Sequence, residues 1–127
     1  MTFRALILLS VPFIGLAQTG PANLGFEEGT PGQTPPGWSV PAAGYTAEVR
    51  HEGCKSGVGC ALLSPSAGST AKVGTIRQMF AADEFRGRTV RLRAWIRVEK
   101  TEAADRAQMW LQANRPGGQM GLSDSSR

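Results

Sequence analysis

Trp95 and Trp110 stand in two segments that alternate apolar and polar residues, and the polar residues around them include Arg93, Gln108 and Gln112. Indole faces stack on the C–H faces of pyranose rings while guanidinium and amide groups read hydroxyls, so these residue types suit a sugar-binding surface. The spacing decides whether they can meet. In residues 89–98, Val90, Leu92, Ala94, Ile96 and Val98 alternate with Thr89, Arg91, Arg93, Trp95 and Arg97. Farther on, Ala107, Met109, Leu111 and Ala113 alternate with Gln108, Trp110, Gln112 and Asn114. Period two predicts a strand in each segment. A hairpin through residues 99–106 that pairs Val98 with Ala107 sets Trp95 opposite Trp110, Arg93 opposite Gln112 and Arg97 opposite Gln108, all on one face. The other face is aliphatic and is the expected core. The alternative is that both indoles pack beneath a loop or a second sheet.

Other chemistry is sparse. His51 is the single histidine of the chain, and no serine lies in a glycine-flanked nucleophile motif, so a Ser-His-Asp centre is not expected. Glu27 and Glu28 are neighbours and would diverge on a strand, which does not suit an acid and base pair; Glu27 is a candidate ligand of a structural calcium. No other cofactor is expected, since no phosphate-cradling glycine loop followed by Lys and Ser or Thr occurs. Cys54 and Cys60 frame a loop with two glycines, Gly57 and Gly59, and their spacing fits a disulfide in an oxidising compartment better than a four-ligand zinc site.

The elements that must position these groups are short strands separated by turns. Glycine and proline number 16 and 8 and follow no fixed period, which excludes collagen-like and repeat architectures. Strands are expected at residues 23–27, 38–40, 45–50, 60–64 and 75–80, besides the two segments above. In residues 45–50, Tyr45, Ala47 and Val49 form the apolar set. Arg4 precedes an apolar run at residues 5–16 that ends on the small residues Gly15 and Ala17. This is a signal-peptide pattern with cleavage after Ala17; the run falls short of the ~20 residues that cross a bilayer, so no stable membrane anchor is expected. The organisation is then a signal peptide at 1–17, a linker at 18–22, an incomplete β-sandwich at 23–122 and a polar tail at 123–127. Losing Arg4 would lower the formal net charge from +4 to +3. Such mild basicity without a clustered reading element argues against nucleic acid as a partner.

Asn23-Leu24-Gly25-Phe26-Glu27 followed by Pro36-Gly37-Trp38 resembles the start of galactose-binding-like carbohydrate-binding modules. Ile76-Arg77-Gln78-Met79-Phe80, Phe85-Arg86-Gly87 and Val90-Arg91-Leu92-Arg93-Ala94-Trp95 are similar to that family's glutamine strand, turn and long core strand. A narrower likeness, through Gly53-Cys54, Cys60-Ala61, the segment 107–111 and the segment 115–121, is to N-terminal accessory domains of exported tail-specific serine proteases and erythromycin esterase-like hydrolases. The resemblance implies an all-β, jelly-roll sandwich of about eight strands whose concave face or edge loops take ligand. It also implies closing strands, absent here because the chain stops at Arg127, which a partner chain could supply. The expected function is a non-catalytic, secreted or periplasmic binding or accessory module for a glycan or cell-envelope ligand. The alternative is a structural fragment of a larger exported serine hydrolase without activity of its own.

Overall fold

The computed structural model describes residues 18–99, 102 and 105–125; the expected signal peptide lies outside them. The described chain is β-rich, with strands β1 (Tyr45–Arg50), β2 (Cys60–Pro65), β3 (Trp110–Asn114) and β4 (Met120–Ser125) and one short 3-10 turn at Asp83–Phe85. β1 pairs with β2 and β3 with β4, both antiparallel, giving two small sheets. No helix of the described residues is long and apolar enough to cross a membrane.

The β1–β2 register runs from Tyr45 opposite Pro65 to Arg50 opposite Cys60. Period two places Ala47 and Val49 on one face of β1, and these two are the buried hydrophobic residues, with Val49 wholly enclosed. Val49 also faces a second neighbour. Its amide donates to the Gln33 carbonyl (2.8 Å) and its carbonyl accepts from the Gly32 amide (3.0 Å), so the loop 31–33 covers the edge of β1 that β2 leaves free. Gly29 has φ +123°, and a Cβ there would come within 2.8 Å of Pro36 and 2.9 Å of Val49. Glycine alone lets the backbone pass this close with that φ. Pro35, next to Pro36 in sequence, is fully buried.

Residues 23–27, expected to be a strand, instead form a turn. The Phe26 amide donates to the Asn23 carbonyl (3.1 Å), and both residues take positive φ, +48° and +57°. The cause is the Asn23 side chain, which accepts from the Glu28 amide and donates to the carbonyls of Glu28 and Pro36 at 3.0, 3.0 and 3.3 Å. Asparagine tolerates the left-handed region because its short amide can bond locally in this way. The segments 38–40 and 75–80 shrink to a single bridge between Ser39 and Arg77. Residues 18–22 are tied down rather than loose: Gln18 accepts from the Ala81 amide at 2.9 Å. Ala22 exchanges bonds with the Gln78 amide at 2.9 and 2.7 Å.

The larger departure concerns residues 89–98. They belong to no strand, their backbone makes no hydrogen bond to another segment among the described residues, and every residue from Thr89 to Glu99 is exposed. Alternation marks a segment that can be half-buried in a sheet, but a strand exists only where a neighbour supplies the ladder. Residues 120–125 show the converse. Although all six are exposed, they pair with β3 through a turn in which the Arg115 amide donates to the Gln119 carbonyl at 2.7 Å. Residues 123–125, read from sequence as the start of the tail, therefore lie in β4.

Candidate functional site

Phe26, Glu27, Trp38 and Gln78, which stand out in the sequence, are gathered around Asn23. The Trp38 indole N–H donates to the Asn23 carbonyl at 3.1 Å, and the Phe26 and Trp38 rings lie 4.9 Å apart between centroids. The Gln78 side-chain amide also donates to the Gly37 carbonyl at 3.1 Å. Glu27 reaches into the loop between β1 and β2, where its Oε2 accepts from the amides of Val58 (2.9 Å) and Gly59 (3.0 Å). Charge-assisted bonds of this kind are stronger than neutral ones and fasten the turn to the loop. The same loop is closed by the Cys54–Cys60 disulfide, with Cα atoms 5.5 Å apart. A cross-link over so short a loop contributes about 2 kcal/mol by restricting the unfolded chain.

These contacts give Glu27 an anchoring role. A calcium ion takes about 6–8 oxygen ligands. One oxygen of this carboxylate is engaged by two amide donors, and no group of three acidic, histidine or cysteine side chains converges among the described residues. His51 lines an open cavity of about 350 Å³ with Pro31, Arg50 and Glu52.

The two indoles have different surroundings. Trp95 is 80% exposed, and the Lys55 ammonium of the disulfide loop lies 5.0 Å from its ring centroid, within cation–π range. Trp110, 56% exposed, instead lines an open cavity of about 360 Å³ with Val90, Arg91, Leu92, Met109, Leu111, Asp124 and Ser125. The cavity thus brings Trp110 beside Arg91, not beside Trp95 as the hairpin through 99–106 would. Gln112 shares the exposed face of β3 with Trp110, and its amide donates to Asn114 Oδ1 at 2.8 Å. Arg93 and Gln108 are exposed and make no side-chain hydrogen bond among the described residues.

Of the five candidate ligand residues, the structure therefore keeps Trp110 and Gln112 on one strand face and puts Trp95 against the disulfide loop. Sequence reasoning missed Lys55, Arg91, Asp124 and Ser125. Arg91 lay two residues from Arg93 in the same alternation, and the Pro116-Gly117-Gly118 turn signal could have brought in Asp124 and Ser125 by predicting β4. Chemically, the Trp110 cavity offers one apolar aromatic face, a guanidinium, a carboxylate and a hydroxyl around an open space. Comparison with protein-family models, with curated proteins and with solved structures finds no match for this chain.

Proposed function

We propose that the chain is a non-catalytic, exported binding module of the galactose-binding-like, jelly-roll kind, acting in the secreted or periplasmic space on a glycan or cell-envelope ligand. The observation that carries this reading is the open cavity beside Trp110. A half-exposed indole supplies a stacking face for a sugar ring, and Arg91, Asp124 and Ser125 supply donors and acceptors for its hydroxyls. The disulfide supports export, because such bonds persist in oxidising compartments. In gels containing soluble plant or bacterial polysaccharides, the chain should be retarded by at least one. Trp110→Ala should weaken that binding about tenfold or more, equivalent to ~1.4 kcal/mol, without lowering the melting temperature. Retention by no polysaccharide, or unchanged retention of Trp110→Ala, would exclude the cavity as a glycan site.

A second reading is a structural segment of a larger exported assembly, such as a tail-specific protease or an erythromycin esterase-like hydrolase. It is favoured by the apolar positions of residues 89–98, where Val90, Leu92, Ile96 and Val98 are 40–51% exposed. In that case Trp110→Ala would leave polysaccharide behaviour untouched.

A further inference from the structure

Residues 89–98 combine three properties that are seldom left together on a free surface. Their backbone takes part in no ladder among the described residues. Their aliphatic set, Val90, Leu92, Ile96 and Val98, is exposed. Their alternate set carries Arg91, Arg93 and Arg97; the first two belong to no ion pair among the described residues, and Arg97 pairs with Glu99 of its own segment at 3.3 Å. Backbone whose amides and carbonyls lack a ladder partner is a template for strand addition, and cross-strand partners of opposite charge fix which strand is added.

We propose that residues 89–98 dock an extended, acidic, amphipathic strand of a partner polypeptide, whose aliphatic residues continue the Val90–Val98 set and whose carboxylates face Arg91, Arg93 and Arg97. Residues two apart on a strand are about 6.7 Å apart, so acids at every second position of the partner match Arg91 and Arg93 in turn. Charge selects this occupant over a second copy of the chain. β1 carries one acid, Glu48, β4 carries one, Asp124, and β2 and β3 carry none, so no strand among the described residues offers an acidic alternation. The proposal goes beyond the glycan reading and does not rest on it; Val90, Arg91 and Leu92 also line the cavity beside Trp110, so a docked strand and a glycan compete for that end of the segment.

The test uses the full chain and three capped peptides as long as the segment: alternating valine and glutamate, alternating valine and lysine, and valine and glutamate in two separate blocks. The alternating valine–glutamate peptide should slow amide hydrogen exchange across residues 89–98 at least about tenfold while leaving β1 and β2 unchanged. The double variant Arg91→Glu, Arg93→Glu should lose that response and acquire it for the valine–lysine peptide. Equal response to all three peptides, slowing confined to another segment, or no response would overturn the proposal. So would protection of 89–98 that rises with protein concentration without peptide, which would make a second copy the occupant.

Discussion

Aspartate in place of Val49 is expected to abolish cooperative thermal unfolding, leaving a sloping circular-dichroism trace with no transition. Val49 is wholly enclosed, held between β2 on one edge and the loop 31–33 on the other. A carboxylate there is desolvated at a cost of several kcal/mol, while a domain of this size is stable by only about 5–15 kcal/mol. Val49→Ala, which removes two methyl groups and adds no charge, should retain a transition and lose about 2 kcal/mol. If Val49→Asp melts like the parent chain, the core lies elsewhere.

Gly59→Ala should destabilise the chain by about 1–3 kcal/mol in urea titrations, because the added methyl group would overlap the Phe26 carbonyl and the Glu27 backbone. Gly59 is buried where the turn at Asn23 lies on the disulfide loop, and its amide is one of the two that hold Glu27. Relief of the overlap separates these segments and breaks the charge-assisted bond along with the packing. Gly20→Ala is the matched control. Its methyl group would meet nothing within 4 Å, and the expected change is within about 0.5 kcal/mol.

Where a segment's pattern is completed by neighbours close in sequence, the fold was legible. β1 was readable because Ala47 and Val49 alternate with Thr46, Glu48 and Arg50, and its partner lies just beyond a loop that the two cysteines close. The turn at Asn23 was misread because its residue types also suit a strand; what decides it is a side-chain amide bonding to its own neighbourhood, which hydrophobic periodicity does not register. Residues 89–98 carried the clearest alternation in the chain and formed no ladder among the described residues, because periodicity reports what a segment can bury and not whether a partner is present. β4 was overlooked for the opposite reason: Met-Gly-Leu-Ser-Asp-Ser has little apolar patterning, and the strand is held by backbone pairing after a two-glycine turn.

The candidate site followed the same division. Trp110 and Gln112 share a face because they sit two apart on one strand, a local relation that the sequence contains. The placing of Trp95 opposite Trp110 rested on a hairpin register across residues 99–106, part of which lies outside the described residues. Trp95 instead meets Lys55, forty residues away in the chain, and Trp110 meets Arg91 and Asp124. Long-range contacts of this kind depend on which segments pack, and no spacing rule encodes them.

Both the glycan surface and the strand-docking edge require a chain whose bonded core is the β1–β2 hairpin with its covering turn, and whose residues 89–98 stay available. Residue-resolved amide hydrogen exchange of the free chain measures this directly. The amides of Val49, Val58 and Gly59, which are bonded to Gln33 or Glu27, should exchange slowly, and those of residues 90–98 at rates near an unstructured peptide. Uniform protection across 90–98 in the dilute free chain would contradict the account, since the segment would already be paired.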